Sequence, residues 1–196
     1  MSISFPRYLT LDAATVYEKG ALQCFLKIPN EEVKYLYQSI IKEWICGSTD
    51  ISQLPIVLKS LVQGDMKTFA ETLQDLVSNT MSFYDLSKEE PERVYHAFVL
   101  GLLVMLEDSY EVKSNRESGF GRYDVCLFPK KPSTLGIIFE FKKVRKEEDL
   151  EKSALEALEQ IKEKRYAEEM QSRKVQDILQ IGCAFQGKNV CVKHVK

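Results

Sequence analysis

Hydrophobic residues recur along this chain in two patterns, one typical of amphipathic helices and one typical of buried strands. The helical pattern covers residues 30–44, 52–61, 66–77, 91–106 and 150–170. Strand-like apolar runs cover residues 8–11, 21–28, 110–114, 122–128, 136–143, 177–185 and 190–192. Helices and strands follow one another in the second half of the chain, which predicts an α/β domain.

Local signals mark the ends of several of these helices. Asn30 and Asp149 are suitable N-caps for the first and last helices, and Ser87 followed by Glu90 forms a capping-box pattern. Residues 97–106 are apolar all round the helix, so the helix that contains them is expected in the core.

The order of elements predicts two parts. Residues 1–48 are expected to form a small extension of one hairpin and one helix. Residues 49–196 are expected to form the main domain, which starts with two extra helices. From residue 91 onward the order is helix, three strands, helix and two strands.

Three ionisable residues interrupt the two most apolar strands of this domain. Asp124 lies in the first of them, and Glu140 and Lys142 lie in the second. Residues two apart in a strand point to the same face, so Glu140 and Lys142 share a face. Buried charges are costly unless they pair or bind a metal. The spacing alone fits either a metal site or a structural arrangement, with a Glu140–Lys142 pair and an Asp124–Arg122 contact.

Composition and charge limit the functional classes only slightly. Hydrophobic residues make up 44% and charged residues 29%, and the net charge is −2, so no overall positive field attracts nucleic acid. Basic residues do gather near the candidate site, or alternatively form an ordinary solvated loop: Arg122, Lys130, Lys131, Lys142, Lys143, Arg145 and Lys146.

Other sequence features predict a cytoplasmic protein. The five cysteines form no CxxC pair, so free thiols are expected and a zinc site is not. The longest apolar run has ten residues, too few to span a membrane, and the first residues lack the pattern of a secretory signal.

Asp124, then fifteen residues, then Glu140-x-Lys142 resembles the motif of the PD-(D/E)XK nuclease superfamily. The runs SNRESGFGRYDVCLF, IIFEFK, ALEQIKEKRYAEEM and IGCAFQGKNVCV resemble one family within it, as do RYLTL and IPNEEV upstream. That family comprises bacterial and endosymbiont proteins with an ATPase-like N-terminal region and a C-terminal nuclease domain. The ATPase-like region has no counterpart in this sequence. The resemblance implies a restriction-endonuclease-like α/β fold, whose α-β-β-β-α-β core has a mixed sheet flanked by helices.

The resemblance also implies roles for individual residues. Asp124, Glu140 and the main-chain carbonyl of Phe141 would bind Mg²⁺ or Mn²⁺. Lys142 would orient or deprotonate the attacking water, and Gln160 would position the water or a phosphate. Tyr166 departs from the common QxxxY spacing of the superfamily, so it is not assigned a role.

Three further residues are weaker candidates for the site. His96 is either a contributor or a hydrogen-bonded core histidine, and Glu117 is either a contributor or a turn residue paired with a nearby arginine. Arg122 itself is a candidate contributor. Glu92 and Glu107, on or near the same helix as His96, remain unassigned.

The predicted function is therefore a metal-dependent nuclease that hydrolyses DNA, or alternatively RNA, with a metal-activated water. The competing hypothesis is a catalytically silent nuclease-fold module that binds a protein or nucleic acid. An ATPase-type or inhibitor protein is a further predicted partner, and no membrane association is expected.

Overall fold

The computed structural model describes residues 10–16, 22–27, 32, 36, 53–80, 91–131, 134–145 and 147–196. The chain forms two compact units, Met1–Trp44 and Ile45–Lys196. The predicted boundary at residues 48 and 49 and the predicted capping box at Ser87 and Glu90 lie outside the described residues. So does the predicted helix 30–44, apart from Glu32 and Leu36, which are helical.

The first unit contains an antiparallel two-stranded sheet formed by β1 (Thr10–Val16) and β2 (Leu22–Lys27). The strand predicted to end at Leu11 in fact continues to Val16. The pairing register shifts between Leu11 and Ala13, so Asp12 lies at a bulge. Aspartate is unfavourable within a regular strand, and the bulge allows the strand to continue past it.

The second unit is a layered α/β domain. Its helices are α1 (Gln53–Gln63), α2 (Met66–Thr80), α3 (Pro91–Val104), α4 (Leu150–Glu163) and α5 (Glu168–Ser172). Its strands are β3 (Tyr110–Ser118), β4 (Gly121–Pro129), β5 (Gly136–Lys143), β6 (Ile178–Gln186) and β7 (Asn189–Val195). The sheet order is β3-β4-β5-β6-β7, and β5 and β6 are parallel while the other neighbours are antiparallel. The predicted mixed sheet flanked by helices is confirmed.

Helices cover both faces of this sheet. On one face the Phe69 ring of α2 lies 6.1 Å from the Phe139 ring of β5, and Tyr95 of α3 stacks on Phe185 of β6 at 4.5 Å. The other face contributes Cys126 and Ile138 to a buried cluster with side chains of α4 and the segment after it, namely Leu158, Ile161, Tyr166 and Met170. Among the described residues, no helix is long and apolar enough to cross a membrane.

The helix predicted for residues 150–170 is interrupted by a turn at residues 164–167. Asp149 caps its start as predicted, accepting hydrogen bonds from the amides of Glu151 and Lys152. However, α4 ends at Glu163, Arg165 adopts a left-handed φ of 54°, and α5 begins only at Glu168. The intervening Lys164, Arg165 and Ala167 all favour helix, and no glycine or proline lies between the two helices, so the sequence carries no stop signal. The break turns Tyr166 into the core, where it is 2% exposed.

Helix α4 crosses the sheet from β7 towards β4. Glu151 pairs with Lys193 of β7, and Gly182 of β6 lies directly beneath the middle of the helix. A Cβ on Gly182 would lie 2.2 Å from the carbonyl oxygen of Ala154, so glycine allows the close approach. The end of α4 consequently reaches β5 and the β3–β4 hairpin.

The β3–β4 hairpin packs against the turn that follows α4. The amide of Phe120 donates a hydrogen bond to the carbonyl of Lys164 at 2.8 Å. Gly119 has a φ of 58°, and a Cβ there would lie 2.1 Å from the same carbonyl oxygen. The hairpin can therefore dock only with glycine at this position.

Replacing Gly119 by alanine should destabilise the domain far more than the same change at Gly187. Gly187 also has a left-handed φ, of 60°, but a Cβ there meets nothing within 4 Å. We expect Gly187→Ala to lower the free energy of unfolding by about 1 kcal/mol, from backbone strain alone. Gly119→Ala adds a main-chain overlap and should cost about 3 kcal/mol or more in urea unfolding. Equal losses in the two variants would contradict the docking of the hairpin.

Candidate active site

Strands β4 and β5 separate at the point where their ionisable residues lie. Their pairing runs from Leu127 opposite Ile137 to Val125 opposite Phe139 and stops there. Beyond it, the amide of Phe141 donates its hydrogen bond to Oδ2 of Asp124 at 2.8 Å, instead of to a main-chain carbonyl of β4. The carboxylate of Asp124 is thereby fixed at the opening between the two strands.

Glu140, Lys142 and Gln160 form a closed set of contacts on the face covered by α4. Gln160 Nε2 donates to Oε1 of Glu140, and Lys142 Nζ donates to Oε1 of Gln160 at 2.5 Å. Lys142 Nζ also lies 3.7 Å from Oε1 of Glu140. The Glu140 side chain is 5% exposed and that of Lys142 is 33% exposed. The Glu140–Lys142 pair, which the sequence analysis gave as part of the structural alternative to a metal site, is thus present.

The pKa of the Glu140 carboxyl is strongly raised by its surroundings. Burial, reinforced by the negative charge of Asp124, raises the pKa of this carboxyl to about 8, while Lys142 and the nearby Asp124 amide act in the opposite direction. Its Oε2 atom is buried and has no hydrogen-bond partner among the described residues. A buried carboxylate oxygen without a partner is unusual, because buried polar groups are normally hydrogen-bonded.

The oxygen atoms at this opening suit a small divalent cation. Carboxylate and carbonyl oxygens are the ligands that Mg²⁺ and Mn²⁺ prefer. In an extended strand the N–H and C=O of one residue point to the same side, so the Phe141 carbonyl faces the opening as its amide does. Within the described part of the chain, no group of three or more His, Cys, Asp or Glu side chains could hold a metal. The donor set here is two carboxylates and one main-chain carbonyl.

Tyr166 lies beside the site although the sequence analysis left it out. Its hydroxyl donates to the carbonyl of Arg122 at 2.8 Å and accepts from Gln160 Nε2 at 3.4 Å. The wider spacing from Gln160 to Tyr166 spans the break after α4, and the break brings the two side chains together. No local sequence signal predicts that break, so the spacing from Gln160 to Tyr166 gave no indication that the two side chains meet.

The three weaker candidates lie around the site rather than within it. His96 Nε2 is 3.0 Å from Ser114 Oγ and 3.3 Å from the main-chain oxygen of Asp124, and its ring lies against Phe141. It therefore contacts the backbone behind Asp124. Glu117 and Arg122 are exposed cross-strand neighbours near the hairpin tip, and Glu117 lies in β3 rather than in a turn.

The basic residues predicted to gather near the site do not form one cluster. Lys142 and Lys143 lie at the end of β5, whereas Lys130 and Lys131 line a depression beyond the far end of β4. Lys130 Nζ donates there to the main-chain oxygen of Glu107, which places Glu107 away from Asp124. Lys146 and the side chain of Glu92 lie outside the described residues.

Without metal, the stability of the protein should fall as pH rises from about 4.5 to about 8. The ordinary pKa of a glutamate is 4.5, and in the folded protein that of Glu140 is about 8. Between these values the folded protein retains a proton that the unfolded chain has released, so stability is greatest below the window and lost through it. Glu140→Gln should remove this slope in urea unfolding with a chelator present. The same slope in both proteins would contradict the assignment.

The comparison with protein-family models agrees with the geometry. The family model of the PD-(D/E)XK nuclease superfamily matches residues 90–195, which include α3, the five-stranded sheet and α4. None of the curated proteins matches the chain. The matched segment is more than half of the 196 residues and contains the site between β4 and β5. The chain has a nuclease-type fold and belongs to the PD-(D/E)XK nuclease superfamily.

Proposed function

We propose that this protein is a metal-dependent nuclease that hydrolyses phosphodiester bonds of DNA, with RNA as the alternative substrate. The observation that carries the proposal is the buried Oε2 of Glu140, which has no hydrogen-bond partner among the residues that the structure describes. A purely structural cluster would be expected to satisfy both oxygens of a buried carboxylate. The nearby charge of Asp124 makes the absence of a compensating partner more costly still.

Asp124, Glu140 and the carbonyl of Phe141 are the residues that would hold Mg²⁺ or Mn²⁺. Oxygen donors and two negative charges suit either ion. When bound, the ion would lower the pKa of a water molecule and stabilise charge on the phosphate. The elevated pKa of Glu140 applies to the metal-free protein, in which the positive charge of the ion is absent.

Lys142 is the residue that would act on the attacking water. Its side chain is one-third exposed, so a bound phosphate can approach it, and a positive charge there would offset the negative charge of the transition state. It would also orient the water or accept its proton.

Gln160 supports Lys142 and Glu140 in fixed positions. Its carbonyl accepts from the lysine and its amide donates to the glutamate, so one side chain orients both. In the proposed reaction the same amide group would position the water or a phosphate. Tyr166 in turn contacts the Gln160 amide through its hydroxyl.

The alternative proposal, a silent binding module, is favoured by one observation. The amine of Lys142 already has partners in Gln160 and Glu140, so these three side chains are compatible without a metal. A measurement of metal binding distinguishes the metal-dependent nuclease from the silent binding module. An ATPase-type or inhibitor protein partner remains a prediction from the sequence.

Asp124→Asn and Lys142→Met should each abolish most nuclease activity for different reasons. We expect the purified protein to cut single-stranded or duplex DNA in Mg²⁺ or Mn²⁺ and not in chelator. Asp124→Asn should lose metal binding in calorimetry at pH 8. Lys142→Met should bind metal but cut about 10²-fold or more slowly, since it loses charge stabilisation and proton transfer.

Lys143→Met is the matched control, because it removes the same charge from the next residue, on the opposite face of β5. It should retain activity close to that of the unmodified protein. Failure of the unmodified protein both to bind metal and to cut DNA or RNA would overturn the catalytic proposal and leave the binding module.

Removing the Tyr166 hydroxyl should reduce the turnover number without unfolding the protein. Tyr166→Phe retains the buried ring but loses the contacts to Arg122 and Gln160. We expect kcat to fall about 10-fold with little change in KM, as for other residues that orient a catalytic group. Tyr123→Phe is the control, since the Tyr123 hydroxyl lies 3.5 Å from Glu169 instead. An equal effect of both changes on kcat would indicate a general structural role.

A further inference from the structure

The tip of the β3–β4 hairpin exposes an aromatic ring to solvent. Phe120 is 69% exposed, more than any other large hydrophobic residue in the described ranges. Single exposed apolar residues are common on protein surfaces and need no function. The surroundings of Phe120 are what distinguish it, because they fix the ring and surround it with positive charge.

The backbone beneath Phe120 is rigidly placed. Its amide bonds to the Lys164 carbonyl at 2.8 Å, and Gly119 contacts the same turn too closely for any other residue. The guanidinium of Arg165 lies 5.3 Å from the centre of the Phe120 ring. Arg165 itself has a left-handed φ of 54°, an uncommon conformation for a residue other than glycine. The ring is thus supported by a cation, and much of its surface remains open.

Positive side chains surround the ring on both elements. Arg116 and Arg122 lie on the strands of the hairpin, and Lys164 and Arg165 lie on the turn beneath it, all exposed. Glu117 is an acidic residue near the hairpin tip, and Glu168 is 3.3 Å from Arg165. Exposed pairs of this kind are weak and leave the cation available to a phosphate.

The hairpin tip and the candidate site lie at the same end of strands β4 and β5. β4 begins there, at the hairpin, and its antiparallel neighbour β5 ends there with Lys142 and Lys143. Phe120 precedes Asp124 by four residues, about 13 Å along an extended strand. The Tyr166 hydroxyl connects the Arg122 carbonyl to Gln160, so the distance between hairpin and site is fixed.

We propose that Phe120, supported by Arg165, stacks on an unpaired base and that the nuclease acts on single-stranded nucleic acid. The inference rests on the proposed function, whose substrate it specifies. A base in a duplex has both faces covered by its neighbours, whereas a base in a single strand can stack on an aromatic side chain. Arg116, Arg122 and Lys164 would contact the phosphates of the same strand.

The test is binding of labelled oligonucleotides in the presence of a chelator, measured by fluorescence anisotropy. A mixed-sequence DNA single strand is compared with a duplex of equal length. Phe120→Ala should weaken binding of the single strand about 5- to 150-fold and leave duplex binding within about twofold. Phe120→Trp should retain single-strand binding, since the indole also stacks. Leu155→Ala, at another exposed apolar residue, is the control and should change neither.

Three results would overturn the proposal. One is unchanged single-strand binding in Phe120→Ala. Another is an equal loss for both oligonucleotides, which would indicate charge effects without stacking. A third is a change in the molecular mass of Phe120→Ala by light scattering with no change in single-strand binding, which would make Phe120 a contact between protein chains.

Failure of the stacking proposal can be distinguished from failure of the proposed nuclease function. Binding is measured without metal and needs no cleavage. An inactive protein that binds single strands through Phe120 would refute the nuclease and retain the stacking site. An active nuclease whose cutting and binding of single strands are unaffected by Phe120→Ala would refute the stacking site alone.

Discussion

The buried carboxylate of Glu140 is the constraint on which the arrangement of this domain depends. A carboxylate that is almost inaccessible to water and close to a second carboxylate is expensive to maintain. Gln160 and Lys142 compensate for part of that cost through Oε1, whereas Oε2 has no hydrogen-bond partner in the described part of the chain. The compensation depends on α4 reaching across the sheet to β5. That path in turn requires the absence of a side chain at Gly182.

The same helix determines how the hairpin is placed relative to the site. Because α4 stops at Glu163, Tyr166 turns inward and its hydroxyl contacts both Gln160 and the carbonyl of Arg122. The turn that produces this break also accepts the hydrogen bond from Phe120. One irregular turn therefore connects a proposed catalytic group to the proposed base-stacking residue. A change in that turn should affect both.

Charge is distributed locally in this protein and not over the whole surface. The net charge of −2 gives no general attraction to nucleic acid. The positive residues nearest the site lie instead on β5 and around the β3–β4 hairpin. This distribution suits a protein that contacts a short length of a strand near its site rather than a long duplex.

The sequence by itself determined the alternation of helices and strands, the mixed α/β class and the identity of Asp124, Glu140 and Lys142 as unusual charges in apolar strands. These follow from periodicity and from the cost of burying charge, which are local properties. It did not determine the break after α4, and it therefore excluded Tyr166. Nor could it place His96 behind Asp124 or separate Lys130 and Lys131 from the site. Those facts depend on which strands separate, where a helix of favourable residues ends and which distant backbone it meets. Such contacts join residues far apart in the chain, and only the packed structure decides them.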